Sequence, residues 1–459
     1  MDLALILSRI QYGVSLGTHF IFPPTTLGLS LFILLAETFY MRTKKEVYRD
    51  LSSFAVRILT LVFALGVATG LTLPVTLGTN WAQFSKISGS VFGVQLAVEA
   101  VVAFTLESVF IGVLFFGRKK VKPMLYWWST LLVFIGSHFS AFIIIAANSW
   151  MQTPAGVSYH DGKLILENWL AMNLNPSTLL RFFHTIVAAW LVGTFLLFAI
   201  SAWFMYKGRE QNAAAKMMTI AGTVALICSL ALPLLGHASV LEIEKYQPIK
   251  GAAMEGVYNS QTDAPLYALG WVDEKDQKVI GLPLPGMLSY FYDFNFNYKV
   301  RGLNELAPNP ADRPPVQSEF QTFRVMVLVG SILIVVLVLG MIFHARGTLT
   351  RKKKSLLAIM FCSPLPYIGV ETGWITAEIG RQPWTIYPDP AIGFPGLRTA
   401  DAVTQGLNPG YVLFSLIFFS LVYILIFVVF FRFLPAMIKK GITPAAEAKA
   451  QEQAHGGQQ

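Results

Sequence analysis

Charge is what this chain has least of. Asp, Glu, Lys and Arg make up 13% of its 459 residues, against about a quarter in soluble domains. With 54% hydrophobic residues beside it, that scarcity excludes a soluble globular protein and implies an integral membrane protein. Cysteine is nearly missing. Cys228 and Cys362 sit far apart in apolar stretches and no C-x-x-C pair occurs, so neither an iron–sulfur cluster nor a Cys-built zinc site is supported. Internal repeats are lacking too. The net charge of +9 would fit a nucleic-acid partner, but the basic residues fall in short clusters between apolar runs. That arrangement orients a protein in membrane lipid and does not build a nucleic-acid face. A cleavable leader is not expected, because Ser8, Arg9 and Gln11 interrupt the first apolar stretch. The first span is expected to serve as the insertion signal.

A spanning helix needs about 20 mostly apolar residues. Nine stretches qualify: 14–40, 54–77, 91–116, 124–148, 182–206, 217–241, 323–344, 355–377 and 411–434. The expected fold class is therefore an all-α integral membrane protein with nine transmembrane helices. Basic clusters follow spans one, three, five, seven and nine: Arg42 to Arg49, Arg118 to Lys122, Lys207 to Lys216, Arg346 to Lys354, and Arg432 with Lys439 and Lys440. The positive-inside rule then puts the N-terminus outside and the C-terminus in the cytoplasm. Four parts result: helices one to six in 1–241, an extracytoplasmic loop in 242–322, helices seven to nine in 323–440, and a disordered cytoplasmic tail in 441–459.

Residues able to ligate iron are few, and topology assigns them depths. His184 is the third residue of span five and Met326 the fourth of span seven, and both spans start at the outer face. His and Met are an axial pair for a low-spin haem, and a shared depth is what one haem between two helices requires. His19 lies about six residues, some 9 Å, inside the first span, just before Pro23 and Pro24. Glu378 lies at the outer end of span eight. Glu99 and Glu107 are placed about 12 and 24 Å into span three, about 80° apart around the helix. They form a staggered carboxylate pair suited to carrying protons. Blander readings stand beside each: a satisfied core histidine, a packing methionine, protonated glutamates bonding helix to helix. His138 and Glu371 also lie within spans and receive no role.

The most specific stretch is GWITAEIGRQPW, Gly373 to Trp384, which sets Glu378 and Arg381 between two tryptophans at the end of an apolar span. An interfacial anchor is the bland reading. The pattern G-W-x-x-x-E-x-G-R-Q-P-W resembles the signature of subunit I of the cytochrome bd quinol oxidases. RFFHT around His184, TFRVM around Met326 and the position of His19 extend the resemblance over spans one to eight. It implies that His184 and Met326 ligate haem b558, and that His19 and Glu378 ligate the two high-spin haems, b595 and d. Which of these two holds haem d stays open, as does a b-type haem in its place, as in the family's cyanide-insensitive branch. Trp374 is expected beside the cofactors, and Arg324 and Arg381 as partners of haem propionates, with membrane-edge snorkelling as the alternative. Glu99 and Glu107 match proton-delivery positions. Lys250 and Glu255, in KGAAME of the outer loop, match positions linked to quinol oxidation, although taken alone they read as solvated surface. The loop is short for the family. The resemblance further implies a second membrane subunit, often joined by a small single-span one, and quinol and O2 as substrates in a bacterial plasma membrane. A secondary transporter and a catalytically idle assembly subunit are the rival readings.

Overall fold

The computed structural model describes residues 3–443. Nine helical stretches among them are long and apolar enough to cross a membrane, in agreement with the number expected. Beyond Thr443, the tail expected over 441–459 lies outside the described residues.

The first span is two helices, α1 (Leu3–Phe20) and α2 (Phe22–Thr43). The break precedes Pro23 and Pro24, whose missing N–H groups are harmless in a first turn but would disrupt a continuous helix. This span begins at Leu3 and not at 14, because Gln11 and Ser15, polar residues within the apolar window, find partners inside the bundle. Gln11 Oε1 accepts from Asn80 Nδ2 at 2.9 Å and Ser415 Oγ at 3.0 Å, and Ser15 Oγ accepts from Tyr423 OH at 2.9 Å. His19 is consequently in the last turn of α1, far deeper along the helix than six residues.

The second span is α3 (Glu46–Gly70) with α4 (Thr72–Asn80). The third is α5 (Ala82–Val98), a π-helical stretch Glu99–Phe104, and α6 (Thr105–Phe116). Span four is α7 (Pro123–Gln152), followed by the hairpin β1 (Val157–His160) and β2 (Lys163–Leu166) and a short α8 (Trp169–Asn173). Spans five and six are α9 (Thr178–Tyr206) and α10 (Gln211–Tyr246).

The long connection holds α11 (Pro248–Glu255), an antiparallel hairpin of β3 (Leu266–Asp273) and β4 (Lys278–Leu284), α12 (Met287–Asp293) and α13 (Leu303–Leu306). Span seven is α14 (Val316–Ala345), and span eight is α15 (Lys353–Phe361) with α16 (Leu365–Ile379). A two-stranded piece, β5 (Trp384–Ile386) with β6 (Leu397–Arg398), leads to the last span, α17 (Pro409–Lys440).

The densest packing is among α2, α3, α9 and α10, where Phe32, Phe54, Phe195, Phe198 and Phe204 are fully buried. Small residues let membrane helices approach closely, and here Gly28 of α2 meets Gly193 of α9. A Cβ on Gly28 would stand 2.6 Å from Gly193 Cα. The contact is backbone against backbone, so no side chain can move aside. Gly28→Leu is expected to cost at least about 1–3 kcal/mol by overpacking, read as a lower unfolding temperature of the purified protein. Gly78→Leu, where nothing lies within 4 Å of an added Cβ, should leave it unchanged.

Candidate functional site

Glu378 lies on α16, Met326 and the turn that carries His19 reach that helix, and α9, which carries His184, packs against it. The sequence of α16 puts Gly373, Trp374 and Glu378 within two turns. A Cβ on Gly373 would be 2.9 Å from Met326 Sδ, so only glycine leaves the thioether its place. The Trp374 ring lies 6.4 Å from that of Phe20, the neighbour of His19. Glu371 reaches within 3.5 Å of a Cβ on Gly17. Met326 is thus level with Gly373, while α1 passes alongside the deeper turn that carries Glu371.

His184 and Met326 belong to helices that make no substantial packing contact with each other, whereas α10 and α16 each pack on both. His184 Nδ1 is buried and has no hydrogen-bond partner among the described residues. A Cβ on Gly236 of α10 would stand 3.7 Å from its ring. An imidazole and a thioether on two separated helices, each flanked by a glycine, suit a flat cofactor with one axial ligand from either side. His19 donates or accepts at Nδ1 with Thr69 Oγ1 at 3.0 Å, and Gly70 leaves room beside the ring. A hydrogen bond on one ring nitrogen that orients the other is the usual setting of a ligating histidine. His138, by contrast, is a satisfied core residue, bonded to Phe134 O at 2.6 Å and to Trp190 Nε1 at 2.8 Å.

Glu378 is held on both oxygens. Oε1 accepts from Asn148 Nδ2 at 2.7 Å, and Oε2 from Arg381 Nε at 2.9 Å and NH2 at 2.5 Å. Arg381 also reaches the Thr385 carbonyl. From Asn148 the network runs on through Arg181 NH2 at 2.6 Å and Gln152 Nε2 at 3.3 Å, and Gln152 Oε1 accepts from Lys250 Nζ at 3.3 Å. Lys250 therefore connects through two amide side chains to Glu378. Nothing in the composition of span four singled out Asn148 and Gln152, but their spacing of four places them on one helix face.

Lys250 and Glu255 are not solvated surface. Both are buried on α11, because that helix tucks under the hairpin and against α14. Glu255 Oε2 pairs with Arg324 NH2 at 2.6 Å. Arg324 further donates to the carbonyls of Tyr267 at 2.6 Å and Met254 at 3.2 Å, and its guanidinium lies 4.2 Å from the Phe320 ring. Arg324, expected from sequence as a propionate partner, clamps the long connection to the helix that carries Met326. Lys250 has its pKa pushed down to about 8, first by burial and then by the Arg181 charge, with Glu319 acting against both. Both carboxylate oxygens of Glu319 are buried without a partner among the described residues.

Glu99 opens the π-helical stretch and Glu107 lies in the first turn of α6. The π turn, which uniform helical geometry does not anticipate, is of a kind common at functional positions. Both carboxylates reach one face of α7: Glu107 Oε1 accepts from Ser137 Oγ at 2.7 Å and Glu99 Oε1 from Ser140 Oγ at 2.9 Å. Ser137 and Ser140, three apart, are the partners that the reading of span three alone missed.

This geometry can now be set beside known proteins. The family model "Cytochrome bd terminal oxidase subunit I" matches residues 7–442. Subunit 1 of the cytochrome bd-II ubiquinol oxidase of Escherichia coli (strain K12) is 32% identical over 450 residues, spanning 83% of this chain and 87% of that protein. Subunit 1 of the cytochrome bd ubiquinol oxidase of Bacillus subtilis (strain 168) is 32% identical, spanning 95% and 94%. The solved bd oxidase of Geobacillus thermodenitrificans superposes with a TM-score of 0.86 at 28% identity, over 95% of this chain and 99% of that one. The chain belongs to the cytochrome bd terminal oxidase subunit I family. It is an oxidoreductase of the respiratory chain and a multi-pass protein of the bacterial plasma membrane, in a family that carries haem. The transporter reading falls with this finding.

Two outcomes follow from the clamp. Arg324→Ala strands the Glu255 charge in a buried site, a cost of about 3–5 kcal/mol. Limited proteolysis should then cut within 256–285 well before the helices are attacked. The depressed Lys250 pKa means that the unfolded chain binds the proton more tightly than the folded one. The lysine's contribution to stability therefore rises with pH between about 8 and 10.5. The stability difference between wild type and Lys250→Met should change with that slope across the window and be constant below it.

Proposed function

We propose that this chain is the haem-bearing subunit of a quinol oxidase that takes electrons from quinol at the outer membrane face and delivers them to O2. The observation that carries this reading is the meeting, at the α16 helix of Glu378, of Met326 and the turn that carries His19, with His184 on α9, which packs against the same helix. His184 and Met326 would hold the low-spin haem b558. His19 and Glu378 would hold the two high-spin haems, b595 and d, with Trp374 of α16 against Phe20 of α1 beside them. When bound, the haems supply stepwise electron transfer from the two-electron donor and the site of O2 reduction.

The chain's own residues manage protons and position. A hydroquinone releases two protons with its two electrons, so a base must stand within reach. Glu255, fixed by Arg324, is that base, and Lys250 orients the second oxygen. Glu107 and Ser137, then Glu99 and Ser140, form two stations along the α6–α7 seam that pass protons from the cytoplasmic side toward the high-spin haems. The sidedness, with the N-terminus outside and the C-terminus in the cytoplasm, rests on the basic clusters. Charge then separates across the membrane because quinol protons leave outside and water protons are drawn from inside, without a conformational pump. A second membrane subunit, with a small single-span one beside it, completes the complex, and the fold's broad apolar surface accommodates both.

The test begins with a reduced-minus-oxidised spectrum of the purified complex, before and after carbon monoxide. A low-spin b band with a far-red chlorin band that shifts with CO is expected. The absence of haem from the folded complex would remove the reading. Met326→Leu should abolish the low-spin signal and leave the CO-reactive one. Glu107→Gln should retain every haem band and slow O2 reduction on the order of a hundredfold. Normal turnover in that variant would eliminate the proton route.

A further inference from the structure

The β3–β4 hairpin leaves one of its faces uncovered by any described residue. Leu269 pairs across the strands with Leu282 and Trp271 with Ile280, and their exposures are 56%, 59%, 63% and 57%. The opposite face is packed: Val272 is buried, and Val279 and Tyr267 join Ala253 and Phe320 in a small core. We propose that the uncovered face docks into the headgroup–acyl boundary of the lipid leaflet at this end of the bundle. The inference is independent of the quinol chemistry.

Depth is the first argument. Strand β3 is tied to α14 rung by rung. The Tyr267 carbonyl accepts from Arg324, the Gly270 carbonyl from Gln321 Nε2 at 2.7 Å, and the Val272 N–H donates to Gln317 Oε1 at 2.7 Å. Above these the Gln317 N–H donates to Glu274 Oε1 at 2.9 Å. Eight residues of α14, Gln317 to Arg324, about 10 Å at helical rise, are thus flanked by the strand. The stem of the hairpin stands beside Arg324, and Val325, Val327 and Leu328 directly follow as exposed apolar residues of the same spanning helix. Along α14 the hairpin stem thus ends where the exposed apolar residues of that helix begin.

Polarity along the hairpin is the second argument. Asp273, Glu274, Lys275, Asp276 and Lys278 crowd the tip, which points up the helix away from the span. An apolar stem carrying Trp271 below a charged tip has the polarity of an element lying at a membrane interface. On the other flank Phe291 and Phe294 lie 6.1 and 6.0 Å from the His237 ring of α10, three residues beyond Leu234, which is 75% exposed. The apolar surface therefore meets the outward face of two spanning helices.

The complete oxidase complex in phosphatidylglycerol–phosphatidylethanolamine vesicles provides the test. A genetically encoded environment-sensitive fluorescent amino acid is placed at Leu282, at Trp271 in a second variant, and at Lys275 as the tip control. Nitroxide lipids labelled near the headgroup should quench Leu282 and Trp271 about threefold or more over Lys275, and aqueous iodide should show the reverse order. Iodide quenching at Leu282 equal to that at Lys275 would place the hairpin in water and overturn the proposal. Protection from both quenchers would show that a protein surface covers the face, and would overturn it equally.

Discussion

Ionisable groups at the loop end of this bundle are buried, and a buried charge must find a partner or lose its charge. How the chain meets that demand organises the rest of the site. Arg324 pairs with Glu255 and ties a long connection to α14. Arg381 pairs with Glu378 and closes the end of α16. Lys250 is bonded to Gln152 and to the Ala377 carbonyl, which joins α11 to α7 and α16. The 242–322 segment is a docked structure for this reason and not a loose loop.

The same demand couples regions that the proposed chemistry keeps apart. From Lys250 through Gln152 and Asn148 to Glu378, buried polar groups follow one another without a gap wider than 3.3 Å. Such a chain rigidifies both ends, since a shift at one leaves a polar group unsatisfied at the next. Glu319 is the exception, buried with both oxygens unpartnered among the described residues. Its charge lies opposite that of Lys250 and holds the lysine's pKa higher than burial alone would leave it.

The membrane sets the opposite rule elsewhere. Along α17, Phe414, Leu421, Leu425 and Phe431 stand exposed on a helix that buries little of itself. Specific packing is concentrated where backbones approach, as at Gly28 and Gly193. Polar residues that interrupt apolar windows, such as Gln11 and Ser15, are admitted because neighbouring helices complete their hydrogen bonds. A window of hydropathy counts such residues against a span and so starts the first one at 14, whereas the helix starts at Leu3.

Much of this protein is legible from its residues in order. Nine spans follow from the length of apolar runs. The acidic residue in GWITAEIGRQPW is conspicuous because charge is otherwise so rare there. What counting along a helix cannot supply is the partner across the gap. Ser137 and Ser140 for the two carboxylates of span three, Thr69 for His19 and Asn148 for Glu378 are ordinary polar residues until another helix is laid beside them. Arg324 could be read equally as a propionate partner or a snorkelling side chain, and Lys250 and Glu255 as surface. Only the folding of α11 and the hairpin against α14 buries them and makes Arg324 their clamp. Element length and depth are properties of one segment, set by its own hydrophobicity. Pairing and burial belong to two or more segments at once, and tertiary packing alone decides them.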